Sequence, residues 1–337
     1  MMKNILMIAT GGTIASRHTK EGLSPQITGG ELLKYIPEAG ALAHIDVIQP
    51  FSLDSTNVKG EQWLILAGLI REHYDEYDGF VICHGTDTMA YTAAALSYLV
   101  QRSVKPVVIT GAQRPIDLPD TDARTNLQDS VRFAADSRSH DVCIVFGGLV
   151  IAGTRAKKER TKSYDAFSSI NYPPVAVIQE KRIIFYIDDK AQVQGPVCFS
   201  DSINPKVFLY RMIPGSDGNV LDALMAGYDA LIIESFGVGG IPDYGDGSFR
   251  EAIRKWTAAG KVVVMATQVP NEGSDMSVYE VGHAVKNAYN IPESYDMTLE
   301  AVIAKTMWIL GKTRDRKEFR KLFYTSINHD LLFVPDM

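Results

Sequence analysis

Asp78-Gly79-Phe80-Val81-Ile82-Cys83-His84-Gly85-Thr86-Asp87-Thr88-Met89-Ala90 is the stretch on which the fold turns. Phe80 to Cys83 is apolar at every position, whereas a half-exposed strand would alternate apolar and polar residues. A continuous apolar run of this length reads as a parallel strand buried on both faces. It ends in a polar loop containing a glycine, and a helix-like segment, Ala90 to Val100, comes directly after it. Working outward, the same strand-like texture recurs at Ile5 to Ala9, Val107 to Thr110 and Val142 to Phe146. Helix-like segments, Gln62 to His73 and Thr125 to Asp136, lie between them. Strand and helix in alternation predict an α/β fold, a parallel sheet covered by helices.

With 337 residues the chain exceeds ordinary single-domain size. The 46% of hydrophobic residues supply enough apolar material for two cores. The polar, proline-bearing segment between Asp188 and Pro205 has no helical period and reads as a linker. The expected division is an N-terminal domain over 1–190, a linker over 191–206 and a C-terminal domain over 207–337. In the last of these, strands are expected at Val207 to Met212, Ala230 to Ile233 and Val262 to Ala266. A helix is expected from Leu299, Val302, Ile303, Met307 and Leu310, which recur at helical spacing.

The charge balance, 34 basic against 40 acidic residues for a net −6, is a poor start for a nucleic-acid binder. Cys83, Cys143 and Cys198 are far apart and sit in apolar contexts, so buried free thiols are expected rather than a disulfide. The apolar run near Met1 is too short for a signal peptide, and Gly11-Gly12 breaks it. No stretch approaches the ~18 apolar residues of a membrane span. The expected compartment is the cytoplasm, with neither membrane nor nucleic acid as partner.

In parallel α/β sheets, ligands bind beyond the carboxyl ends of the strands. Beyond the first strand lies Thr10-Gly11-Gly12-Thr13-Ile14-Ala15-Ser16, whose glycines allow a tight turn that displays Thr13. A phosphate-cradling loop is the alternative reading, although the spacing is not that of a dinucleotide fingerprint. Beyond a later strand, Gly85 precedes Thr86 and Asp87 where a helix begins. That pair reads either as a helix cap or as part of a site. Two hydroxyl-bearing loops at two strand ends favour a shared site. Thr110-Gly111-Ala112-Gln113-Arg114-Pro115 ends a third strand, and Lys157-Lys158 come after a fourth. A lysine near hydroxyls and an aspartate can activate a nucleophile. His84 reads as a base or as a packing residue.

Other signatures fail. There is no G-x-S-x-G, H-E-x-x-H or C-x-x-C, and the seven histidines show no ligand spacing, so no metal is expected. Leu310-Gly311-Lys312-Thr313 ends like a P-loop, but Thr306 stands where that motif needs its first glycine.

The Thr10–Ala15 and His84–Met89 segments together resemble the two signatures of the bacterial-type L-asparaginases, cytoplasmic type I branch. Thr110 to Pro115 and Ser235-Phe236-Gly237-Val238-Gly239-Gly240-Ile241-Pro242 extend the resemblance over nearly the whole chain. It implies a larger N-terminal Rossmann- or flavodoxin-like domain, a smaller C-terminal α/β domain and no cofactor. It also implies a homodimer or homotetramer in which the Phe236 to Gly240 segment reaches a neighbour's site. Thr13 would be the nucleophile on the side-chain amide, and Thr86, Lys158 and Asp87 would activate a hydroxyl or water. Ser55 and Thr56 would hold the substrate α-carboxylate, Asp87 its α-ammonium group and the Ala112 backbone its amide. Leu23 stands where many members carry a loop tyrosine in contact with the nucleophile. Anchoring the family segment on Asp165-Ala166-Phe167 places the catalytic lysine at Lys158 rather than Lys157.

The expected reaction is hydrolysis of L-asparagine, with glutamine weaker; one methylene separates the two and is worth only ~10–200-fold in discrimination. The alternatives are an amidase acting mainly on glutamine, the amidase subunit of a transfer-RNA amidotransferase, and a non-catalytic amino-acid sensor. Amidotransferase subunits of this kind carry an extra N-terminal domain, whereas Thr13 is close to Met1. A sensor would be expected to lack one of Thr13, Thr86, Asp87 or Lys158, and all four are present.

Overall fold

The computed structural model describes residues 2–19, 22–278 and 280–333 and divides into units Met1–Asp201 and Ser202–Met337. The first unit is organised around an eight-stranded sheet. Its strands are β1 (Lys3–Ala9), β2 (Ala43–Ile48), β3 (Gly79–Cys83), β4 (Val107–Thr110), β5 (Val142–Phe146), β6 (Leu149–Ala152), β7 (Ala176–Gln179) and β8 (Arg182–Phe185). Across the sheet the order is β8-β7-β6-β5-β4-β3-β1-β2. From β2 to β5 the neighbours are parallel, and β6, β7 and β8 are added antiparallel.

Burial explains why the central strands read so clearly. Phe80, Val81, Ile82 and Cys83 are all fully buried, as are Val107, Val108 and Ile109. A strand covered by helices on both sides has no face left for polar residues. Three helices frame the strand ends: α1 (Gly60–Glu72), α2 (Met89–Leu99) and α3 (Ala123–Ala135). Val81, Cys83, Val108 and Val145 share one core cluster with Leu127 and Val131 of α3. Deleting a side chain from such a core costs about 2–5 kcal/mol.

The strand order also places a crevice. From β1 the chain moves to the edge strand β2, then returns past β1 to β3 and continues through β4 to β5. The direction of winding therefore reverses between β1 and β3. The loops after these two strands lie at that switch point, where open parallel sheets bind ligands.

Two features of the first unit depart from the expectations. β5 turns straight back into β6 through Gly147 and Gly148, both at positive φ (58° and 76°). Lys157 and Lys158 therefore come after a hairpin, on a short strand Ala156–Lys158 paired antiparallel with Phe167–Ser169. Cys198 is only half-buried, unlike Cys83 and Cys143. It lies on a two-residue strand, Cys198–Phe199, that pairs with Val100–Gln101, and Phe199 meets Tyr74 edge-to-face.

In the second unit β9 (Val207–Arg211), β10 (Ala230–Ser235) and β11 (Val262–Thr267) form a parallel three-stranded sheet. Helix α4 (Ser248–Ala258) presses Phe249, Ile253 and Trp256 onto Leu231, Ile233, Val263 and Met265. Helix α5 (Leu299–Leu310) is buried almost all round, and the stripe Leu299, Ile303, Met307 is its less buried side. Lys305 on the same helix is fully buried because its ammonium is satisfied by Asp330 at 2.6 Å and by the Thr325 carbonyl at 2.8 Å. A buried, paired lysine breaks the apolar period without leaving the core. Among the described residues no helix is long and apolar enough to cross a membrane.

Candidate active site

Glycines bring the loops of the switch point together. Gly12 and Gly85, one from the loop after β1 and one from that after β3, pack backbone against backbone. A Cβ on Gly12 would lie 2.4 Å from the Gly85 nitrogen, and one on Gly85 would lie 2.6 Å from the Ser55 hydroxyl oxygen. Gly12 also sits at φ 75°, where only glycine is unstrained. No other residue fits either place. The Thr10–Gly12 backbone is pinned as well: Thr10 N–H and hydroxyl both donate to the Cys83 carbonyl, and Gly12 N–H donates to Leu53 O at 2.9 Å. Thr13 is next, half-buried, opening a turn of 3-10 helix over Thr13–Ala15. Among the described residues its hydroxyl has no hydrogen-bond partner.

Thr86 and Asp87 are not a helix cap. The cap position of α2 is Thr88, whose hydroxyl donates to Ser55 O at 2.8 Å instead of capping. Thr86 is buried, and its Oγ1 accepts a hydrogen bond from Lys158 Nζ at 2.7 Å; the same Nζ donates to Asp87 Oδ1 at 2.6 Å. Lys158 rather than Lys157 makes these contacts, because neighbours on an extended strand point to opposite sides. The Lys158 side chain is 16% exposed and that of Asp87 58%. A partly exposed pair of this kind contributes about 1 kcal/mol at most to stability. Its consequence is chemical: one ammonium holds a hydroxyl and a carboxylate at a strand end.

Ser55 lies beneath this group, buried, with Oγ accepting the Asp87 N–H at 3.3 Å. Thr56 is exposed, and both its N–H and hydroxyl donate to Asp54 Oδ1 at 2.9 Å. Ala112 is fully buried at the end of β4. The turn that presents it is fixed by Asp122, whose carboxylate accepts the Gln113 and Arg114 amides at 2.9–3.1 Å. Asn126, one helical turn on, donates to Gly111 O at 3.1 Å and accepts from Gly147 N–H at 3.0 Å. Burial raises the Asp122 carboxyl, and those backbone donors oppose the shift. The sequence motifs do not include Asp122 and Asn126; their spacing of four at a helix start was the available signal.

His84 is a packing residue. It is fully buried, and burial lowers its pKa to about 4, against a raising contribution from the Gly85 carbonyl. The neutral ring fits its partners. Nδ1–H donates to Gly85 O at 2.7 Å, and Nε2 accepts from the Thr92 hydroxyl at 3.0 Å. That hydroxyl in turn accepts from Trp63 Nε1–H at 3.0 Å. The chain of donors leaves no proton-accepting capacity for a substrate. It ties the Gly85 turn to α1 and α2.

The Leu23 backbone pairs with His18 in the ladder of Ser16–Thr19 with Gly22–Pro25. Its side chain lies outside the described residues. Among the described residues no three His, Cys, Asp or Glu side chains gather in a metal-binding group.

Two family models match this chain: "Asparaginase, N-terminal" over residues 4–191 and "Glutaminase/Asparaginase C-terminal domain" over residues 206–323. The chain belongs to the asparaginase family. It is 37% identical over 327 residues to an L-asparaginase of Thermococcus kodakarensis, covering 96% of this chain and 97% of that one. It is also 35% identical to a glutamyl-tRNA(Gln) amidotransferase subunit of Pyrococcus furiosus, covering 96% of this chain and 76% of that subunit. Among solved structures, the thermostable L-asparaginase from Thermococcus kodakarensis superposes with a TM-score of 0.90 at 35% identity, over 98% of this chain and 100% of that one. L-asparaginase I from Vibrio cholerae gives 0.87 at 27%, over 99% and 100%. The resemblance carried by the two threonine loops and the α/β architecture thus hold, and membership of the asparaginase family supports an amidohydrolase.

Proposed function

We propose that this chain hydrolyses L-asparagine to L-aspartate and ammonia through a threonine nucleophile. The observation that carries the reading is the Thr86–Lys158–Asp87 group at the switch point, with the Thr13 loop pressed against it through Gly12 and Gly85. Thr13 Oγ attacks the side-chain amide carbon, and its proton passes to the departing nitrogen, which leaves as ammonia. Water then cleaves the resulting ester, giving the new side-chain carboxylate of aspartate and restoring the threonine hydroxyl. Thr86 and Lys158, with Asp87, activate the hydroxyl or water. Preorganised donors at such a site stabilise the developing oxyanion better than water can.

A zwitterionic amino acid needs both an anion pocket and a carboxylate. Ser55 and Thr56 lie on one loop and Asp87 beside it, so α-carboxylate and α-ammonium are held together while the Ala112 backbone meets the amide. The protein acts as a cytoplasmic homodimer or homotetramer without cofactor. Ammonia release from asparagine and glutamine by purified protein tests the reading: kcat/KM for asparagine exceeds that for glutamine, and equal or reversed values remove the substrate assignment. The likeness to the Pyrococcus furiosus amidotransferase subunit supports a second reading, glutamine as ammonia source for a transfer-RNA-linked reaction. Turnover of free asparagine with no RNA present decides against it. Binding of asparagine without turnover would mark a sensor.

A further inference from the structure

Gln113 stands between Thr86 and an exposed loop, and its side chain is satisfied at both ends. Its Nε2 donates to the carbonyls of Arg160 at 3.3 Å and Ser163 at 3.1 Å. Both belong to the segment 159–165, every residue of which is exposed. A primary amide has two N–H donors and one carbonyl acceptor. With both donors engaged by carbonyls, the amide cannot flip without placing its oxygen against two other oxygens. Its Oε1 therefore faces Thr86, whose Oγ1 donates to it at 3.3 Å. The backbone below is held equally, since the Gln113 N–H is shared by both Asp122 carboxylate oxygens.

We infer that Gln113 is a positioning residue, setting the rotor of the Thr86 hydroxyl and fastening the 159–165 loop to the site. The consequence comes from hydroxyl chemistry. Thr86 Oγ1 has one proton and two lone pairs. Lys158 occupies one lone pair, Gln113 takes the proton, and the second lone pair is left in a single direction. Without Gln113 the proton has no fixed acceptor and the rotor turns among its staggered positions. The loop is the second half of the device: Lys158 ends the strand from which it springs, so the residue that orients Thr86 also anchors the segment next to its lysine partner. This extends the hydrolase reading and rests on it for the kinetic consequence alone.

The test compares the parent with Gln113→Met, which keeps chain length and loses all polar contacts, and Gln113→Glu, which keeps an acceptor and loses both donors. Expected for Gln113→Met is a fall of ~10-fold or more in kcat with KM within about threefold, because geometry is lost at the activating Thr86 hydroxyl and not in substrate binding. Gln113→Glu retains more kcat than Gln113→Met. In both variants trypsin cleaves after Arg160 and Lys162 several-fold faster than in the parent, at an unchanged melting temperature. Parent-like kcat in Gln113→Met, or parent-like cleavage in both variants, overturns the proposal. A parent protein that releases no ammonia refutes the hydrolase reading instead, and the cleavage comparison still decides whether Gln113 holds the loop.

Discussion

Thr13 and Lys158 are tied to the site in different ways, and their variants should differ accordingly. Thr13 carries a hydroxyl without a partner among the described residues, so Thr13→Ala removes no contact that holds the fold. It should lose ~10³-fold or more in kcat at unchanged melting temperature, since a nucleophile and its proton relay act as a unit. Retained activity with an intact fold would move the role to Thr86 or water. Lys158 bridges Thr86 and Asp87, and Lys158→Met should cost ~10²-fold or more, on the scale of general acid–base catalysis. Lys157→Met should stay within a few-fold, and steady-state kinetics of the two proteins would expose an error of one position by exchanging the effects. His84 belongs to stability. Its folded pKa, about 4, lies below the ordinary 6.5, so the unfolded chain binds the extra proton between those values. Stability is therefore full above pH ~6.5 and falls as the pH drops towards 4, by roughly 3 kcal/mol if His84 alone is counted. Melting temperatures against pH should show this slope in the parent and a flatter one in His84→Gln.

At the scale of elements, the loops after β1 and β3 meet only because glycine occupies both sides of the contact. Gly12→Ala and Gly85→Ala each place a methyl group within 2.4–2.6 Å of a neighbour. Each should abolish most activity and lower stability by a few kcal/mol, the range of overpacking, with backbone strain added at Gly12 alone. Gly30→Ala, which meets nothing within 4 Å, is the control and should melt like the parent. Calorimetry and ammonia release on the three proteins check this. These elements also mark what sequence discloses. β3 was legible because burial on both faces suppressed every polar residue between Phe80 and Cys83. The antiparallel return of β6 was not: Gly147-Gly148 signals a turn but not the direction of the next strand. Lys305 likewise hid the buried side of α5, because its partner Asp330 is 25 residues away in sequence. Gln113 sits inside a visible motif, yet its partners Thr86, Arg160 and Ser163 are set by tertiary approach alone.

For the whole molecule, the open side of the site is the remaining physical question. The Asp87 carboxylate is 58% exposed in the single chain. Amide hydrolysis through charged intermediates gains from excluding bulk water, which strengthens each electrostatic contact in the site. A surface over Asp87 would therefore favour turnover, and the proposed homo-oligomer would bring one from a second copy of the chain. The resemblance assigns this role to Phe236–Gly240. In the structure that segment is a tight turn closed by Gly240 N–H to Phe236 O at 2.8 Å, with Gly237 and Gly239 at φ 51° and 120°. A turn held by its own hydrogen bonds can be presented to a neighbour without a large ordering cost. The active species should accordingly be a dimer or larger. Light scattering of the purified protein should give at least twice the 37.1 kDa chain mass. Specific activity should fall on dilution below the dissociation constant of the assembly and return when the protein is concentrated again. A monomer by light scattering with full, dilution-independent activity would show that the site closes without a neighbour.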